Sequence, residues 1–361
     1  MRLLSRMPLT YLGQPRVSTR EVDGVSRICY IHAGTHRTGT TYLQTFLTLN
    51  ERALDREGLY VPASGRIGPL TGHHNLAWQL NGDERFNRIH GTLAEPLAEL
   101  RSRAALRVCL TSEDFEYLCK RPDALRRLAA DLGELGYRCK LIVYLRPLVD
   151  YAESLYAELL KHGMAIGFDE FWETFSRGEF VFRERWHFVS DYSAILDAFA
   201  AVFGSDHVIV RRYRQGQPTD LVADFVALML PGWRLGDGPY QLPPPALNTA
   251  LPPAELLPYF LRNNSALISL DEAQIERWIQ ERSASLPLRF EPGTLKDIAN
   301  GFVRLLPANL KVFRRYHVLV PVVSSRTLGG RLRDSVDAGE AAKARRALNQ
   351  VFRRTPAGLP D

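Results

Sequence analysis

A chain of 361 residues, 45% hydrophobic and 24% charged, has enough apolar material for one large globular domain or two modest ones, which excludes disordered and fibrous classes. Its formal charge of +6 does not describe a basic nucleic-acid surface: residues 1–27 carry +3 and residues 324–361 carry +4, leaving residues 28–323 at −1. Forty of the 46 basic residues are Arg, so single guanidinium groups stand where an ammonium is common.

In chain order, residues 1–26 read as a loosely ordered arm. Four Arg and no acid in the first twenty residues look like a transit peptide, but Pro8 and Pro15 interrupt any amphipathic helix, so the expectation is a cytoplasmic protein. From residue 27 strand and helix patterns alternate, which predicts an α/β fold: three layers, with a central parallel sheet flanked by helices. Strands are expected at residues 27–32 (RICYIH), 58–62, 106–111, 138–145 and 207–211. A helix with Leu43, Phe46 and Leu47 on one face follows the first strand, and one through Leu125, Leu128 and Leu132 precedes the fourth. Pro147 opens a helix over residues 148–161 that Gly163 closes, and Asp169 and Asp191 head two more. Phe171, Trp172 and Phe175 at helical spacing are expected in the core. Residues 231–253 hold seven Pro and read as a loop or linker. A helical pattern then runs to residue 323, and a basic tail occupies 324–361. The four cysteines, Cys29, Cys109, Cys119 and Cys139, show no CxxC or Cys/His spacing and read as reduced residues, so no metal is expected. No apolar run approaches the length of a membrane span.

Chemistry concentrates first at His32–Thr41, HAGTHRTGTT, between the first strand and its helix. Gly34 and Gly39 have the GxxxxG spacing of a loop whose backbone N–H groups cradle a phosphate at a helix N-terminus. Thr35, His36, Thr38, Thr40 and Thr41 add polar groups. The Lys that follows the second Gly in nucleotide triphosphatases is absent, and the cation is Arg37 instead. A structural turn is the competing explanation for such glycines. A second anion site is expected where strand LIVYL runs into Arg146-Pro147, with Ser154 eight residues on in YAESLYAELL. Arg146 can offer two parallel N–H donors and Ser154 a hydroxyl.

The segment RTGTTYLQTFLTLN resembles the 5′-phosphosulfate loop of sulfotransferases, with Arg37 where that family usually has Lys. Arg146 and Ser154 match the family's 3′-phosphate motif, and Tyr156 its S-x-Y. The resemblance spans about residues 27–230. It implies 3′-phosphoadenosine 5′-phosphosulfate as co-substrate without a metal, a donor-binding core over 27–230, and an acceptor or cap region over 231–323. The implied acceptor is a hydroxyl or amine of a small molecule or glycan, not nucleic acid. Oligomeric state is not legible. The family's RKG-type loop is missing; TLGGRLR (residues 327–333) offers an analogue, but a flexible basic tail is the favoured reading of that segment.

Transfer also needs a base. In TSEDFEYL, Glu113 follows a strand end and resembles the glutamate of heparan-type N-sulfotransferases, although a helix cap explains it equally well. In GHHNLAW, His73 or His74 offers an imidazole of ordinary pKa about 6.5, or a hydrogen-bonding lining for the acceptor cleft. Glu113 stands first and the histidine pair next. Two alternatives stay open: a phosphate-loop kinase, argued against by the absent Lys and by Arg146 in place of a Mg²⁺-binding acid, and a non-catalytic nucleotide- or carbohydrate-binding protein.

Overall fold

The computed structural model describes residues 26–68, 72–214, 216, 218–244, 259, 263, 295–318 and 320. Five strands form one parallel sheet: β1 (Arg27–His32), β2 (Leu59–Tyr60), β3 (Arg107–Thr111), β4 (Tyr137–Leu145) and β7 (Val208–Arg212), in the order β2-β3-β1-β4-β7. Two further strands, β5 (Glu179–Phe182) and β6 (Trp186–Val189), pair as an antiparallel hairpin. Among the described residues the helices are α1 (Thr40–Leu49), α2 (Glu51–Arg56), α3 (His74–Asn81), α4 (Ala94–Arg103), α5 (Pro122–Glu134), α6 (Leu148–Lys161), α7 (Phe168–Phe175), α8 (Tyr192–Phe203), α9 (Pro218–Met229) and α10 (Leu295–Tyr316). A 3₁₀ segment, Glu113–Lys120, follows β3. The expected α/β architecture is the observed one.

Side-chain alternation along the strands divides the core in two. Cys29 and Ile31 of β1, Val108 and Leu110 of β3, and Leu141 and Val143 of β4 pack with Leu125, Leu128, Leu155, Ile195 and Phe199 on one face. Tyr30, Cys109, Ile142 and Tyr144 point the other way, onto Leu43 and Phe46 of α1 and Phe225 and Val226 of α9. Both faces being covered, the strands read as nearly continuous apolar runs. Cys29, Cys109 and Cys139 are buried free thiols within them, and Phe171, Trp172 and Phe175 lie in the core as expected.

Helix starts follow local chemistry. Pro147 precedes α6, and the Asp191 carboxylate accepts from the Ala194 amide as the N-cap of α8. Asp169 lies inside α7, one residue after its start, because Gly167 takes the cap position. The strand expected over 58–62 shrinks to Leu59–Tyr60. Beyond it the Ala63 and Ser64 amides donate to Glu99, and the Pro62 carbonyl accepts from His73, so nothing remains to extend the ladder. The β5–β6 hairpin went unread because Arg183 and Glu184 at its turn both adopt positive φ without a Gly to announce it. The arm 1–25, the segment TLGGRLR and the tail 324–361 lie outside the described residues. Among the described residues no helix is long and apolar enough to cross a membrane.

The strand order places β1 between β3 and β4, with crossovers leaving in opposite directions. Ligands of open α/β sheets lie at the carboxyl ends of such strands. Here those ends carry His32, Ser112 and Arg146.

Candidate active site

Beyond His32 the chain keeps pairing with β4: Ala33 N donates to Ile142 O (3.1 Å), Tyr144 N to Gly34 O (2.7 Å) and Thr35 N to Tyr144 O (3.0 Å). The loop is thus a rigid extension of the sheet. Gly34 has φ 88°, and a Cβ there would stand 3.3 Å from the Cβ of Glu113, so the glycine lets the 3₁₀ segment close on the loop. Gly39 has φ 79°, and a Cβ would meet Leu221 of α9 at 2.7 Å. Thr38 Oγ1 donates to Thr35 O (2.6 Å), tightening the turn. At the start of α1 the amides of Gly39 and Thr40 make no hydrogen bond within the described residues, as expected of a helix N-terminus open to an anion.

Arg37 follows at φ 64° and reaches across to α6. Its Nε donates to Ser154 Oγ (3.0 Å) and one terminal nitrogen to Glu158 Oε2 (3.1 Å). Arg146 closes the circle by donating to the Arg37 carbonyl (2.8 Å). The two motifs, 109 and 117 residues apart at these contacts, therefore share one cleft. Arg146 lies over the Tyr213 ring at 5.6 Å and forms no ion pair among the described residues; burial lowers its pKa from the ordinary value. Glu158 was missed, though its i+4 spacing from Ser154 puts both on one helix face. His162, then Arg37 and Lys161, outweigh burial and hold its carboxyl down at about 2.

His36 does not present its amide to the cleft. The amide and ring Nδ1 both face Glu116 Oε2, at 3.0 and 3.1 Å, while Nε2 lies 3.2 Å from the Tyr117 hydroxyl and 3.8 Å from Asp114. Burial opposes its charge, but hydrogen bonding with Asp114 and Glu116 prevails and raises its pKa well above neutrality. Thr35 is likewise spent on the fold, its hydroxyl donating to Tyr144 O (3.1 Å).

The acceptor-side candidates separate clearly. His73 is fully buried, its Nδ1 accepting from the Thr111 amide (3.0 Å) and its Nε2 donating to Pro62 O (3.0 Å). Both nitrogens join backbone to backbone, and burial pulls its pKa down to about 3, helped by Arg66. Because the unfolded chain binds a proton near pH 6.5 and the folded one does not, this histidine's contribution to stability is full above that pH and is lost as pH falls toward 3. Chemical denaturation of wild type and His73→Gln across pH 3–7 should show the wild type losing stability more steeply on acidification, by up to about 1.4 kcal/mol per pH unit. Parallel curves would contradict this.

His74, the first residue of α3, has a different environment. Nδ1 faces Asp114 Oδ2 (3.0 Å) and Ser112 Oγ (3.0 Å), whereas Nε2 has no hydrogen-bond partner among the described residues. Burial lowers its pKa, but Asp114 and Glu113 more than compensate, and the net shift is upward. Asp114, buried, also accepts from Trp78 Nε1 (2.9 Å). Its pKa would rise on burial alone, but His36, His74 and Arg85 hold it well below the carboxylate range. Glu113 lies alongside, its Oε2 accepting from Gln44 of α1 (2.7 Å). A Cβ on Gly72 would come within 2.7 Å of His74 Nε2 and 2.8 Å of the Gln44 side chain, so a bare backbone borders the space that His74 and Gln44 share.

From sequence Asp114 reads only as a helix cap with Glu113, and Glu116 and Gln44 go unread, because their partners lie 40, 80 and 69 residues away. The three acids of TSEDFEYL behind a buried strand were the signal.

No family model and no curated protein matches the chain. A sulfotransferase crystal structure from Alicyclobacillus acidocaldarius aligns with 70% of this chain and 100% of its own at 20% identity, with a TM-score of 0.38. At a TM-score that low the likeness carries no weight.

Proposed function

We propose that the protein is a sulfotransferase that moves a sulfuryl group from 3′-phosphoadenosine 5′-phosphosulfate to a hydroxyl or amine of a small-molecule or carbohydrate acceptor. The observation that carries this is the meeting of the two anion motifs: Arg146, a cation without an ion pair among the described residues, on the Arg37 carbonyl, and Ser154 on the Arg37 side chain. A donor with phosphates at both its 5′ and 3′ positions matches that pair of sites, and the unbonded amides of Gly39 and Thr40 suit the 5′ side.

Each residue then has a task. The loop from Gly34 to Thr41, with the Gly39 and Thr40 amides and the Thr40 and Thr41 hydroxyls, holds the 5′-phosphate, and Arg37 neutralises the charge that develops there. Arg146 and Ser154 hold the 3′-phosphate. His74 takes the acceptor's proton at Nε2, with Nδ1–H donated to Asp114, the arrangement that fixes a catalytic imidazole's tautomer. Glu113, held by Gln44, orients the acceptor. His73, committed to backbone on both sides, is kept for structure. The donor supplies the sulfuryl group: the acceptor oxygen or nitrogen bonds to sulfur as the bond from sulfur to the phosphate oxygen breaks, and the leaving phosphate keeps that electron pair.

The test is transfer of label from ³⁵S-labelled donor to a panel of polyols, saccharides, phenols and amines, with and without a chelator. Labelled product whose yield a chelator does not change is the expected result. Donor binding with no product across the panel would contradict it and favour a non-catalytic binding protein.

A further inference from the structure

Asp114 is reached from both halves of the site. Its Oδ2 lies 3.0 Å from His74 Nδ1, and its Oδ1 lies 3.8 Å from His36 Nε2 in the donor loop and 3.5 Å from Arg85. His36 is itself built in: Glu116, with no exposed surface, takes its amide and its Nδ1, Tyr117 stacks on its ring at 5.2 Å, and Phe188 of β6 meets it edge-on at 5.3 Å. With Nδ1 on Glu116, and Nε2 3.2 Å from the Tyr117 hydroxyl and 3.8 Å from Asp114, only the imidazolium presents an N–H toward both carboxylates. A buried carboxylate pair needs such a cation between its members.

We propose that His36 is a positioning residue for the reaction: as a cation seated on Glu116 it fixes the Asp114 carboxylate against His74, making the donor loop and the proton acceptor one electrostatic unit. This rests on the reading of His74 as the base. The consequence is directional. Glu113 and Asp114 from the 3₁₀ segment favour protonated His74, whereas His36 from the loop disfavours it. Around them stand His73 next to His74, Asp83 and Arg85 beyond Asp114, neutral Gln44 of α1, and Arg121 at the far end of α3 on the Asn81 carbonyl. Removing the His36 charge should therefore make His74 more basic, whereas removing the Glu116 anion should not.

The test is an NMR titration of the His74 ring in the ligand-free full chain, comparing wild type, His36→Gln and Glu116→Gln, each checked for a native spectrum. Alongside it, the pH dependence of kcat/KM is measured with the acceptor found in the transfer assay. His36→Gln should raise the His74 midpoint by roughly half a unit or more, with the acidic limb of kcat/KM moving upward by the same amount. Glu116→Gln removes an anion and should raise neither; His36→Asn carries the test if His36→Gln does not fold. A His74 midpoint unchanged in the folded His36 variants overturns the coupling and leaves the base assignment intact. A midpoint that moves while the kinetic limb stays still overturns His74 as the base, and the positioning role with it.

Discussion

His74→Ala should lower kcat by about 10²- to 10⁴-fold, the usual worth of a positioned general base, while donor affinity changes little. The asymmetry follows from geometry. His74 sits at the start of α3 with Asp114 and Ser112 on Nδ1, and neither touches the Gly34–Thr41 loop amides that would hold the donor. In the wild type the rate should rise with pH along a limb above the ordinary histidine value of about 6.5, because the group must lose its proton to act and its pKa is shifted upward. Glu113→Gln should cost less in kcat and more in acceptor KM, since the amide retains the shape and one acceptor oxygen beside Gln44. A large kcat loss in Glu113→Gln, a mild one in His74→Ala and a limb in the carboxylate range would transfer the role of base to Glu113.

Arg37→Ala should lower kcat by about 10²- to 10³-fold, the effect of removing one group aimed at charge that appears only in the transition state. Donor binding should suffer less, because Arg146 and the open amides remain. In the ligand-free protein the Arg37 fork spans Ser154 and Glu158, a two-point contact that one ammonium cannot copy. Arg37→Lys should keep the charge but not the fork, and so recover only part of the rate. Single-turnover kinetics separate the two effects: equal losses in donor affinity and turnover for Arg37→Ala would contradict the assignment.

How much of this was legible in the sequence depends on how far each interaction travels. The sheet was legible because burial on both faces leaves long apolar runs such as LIVYL, and the anion motifs were legible because each is a local strand–loop–helix pattern. Their convergence was not, since the contacts from Arg37 to Arg146 and Ser154 exist only once β4 lies beside β1. The histidine pair shows the limit most plainly. His73 and His74 are neighbours with the same intrinsic chemistry, yet one joins two backbone segments and the other faces Asp114 with no partner on Nε2 among the described residues, a distinction made by Pro62, β3 and the 3₁₀ segment folding against them. The sequence places His36 in the phosphate cradle. Its carboxylate partner, 80 residues away, turns it inward.

If one small donor occupies both anion sites, calorimetric titration reads it in a single comparison. 3′-Phosphoadenosine 5′-phosphate and adenosine 5′-phosphate are titrated into the wild type and Arg146→Ala. A hydrogen bond to a charged group is worth about 1.5–3 kcal/mol, so the wild type should bind the bisphosphate roughly 10- to 150-fold more tightly, and Arg146→Ala should erase most of that preference. Equal affinity of the wild type for both nucleotides, or a preference that survives in Arg146→Ala, would rule out a 3′-phosphate held by Arg146.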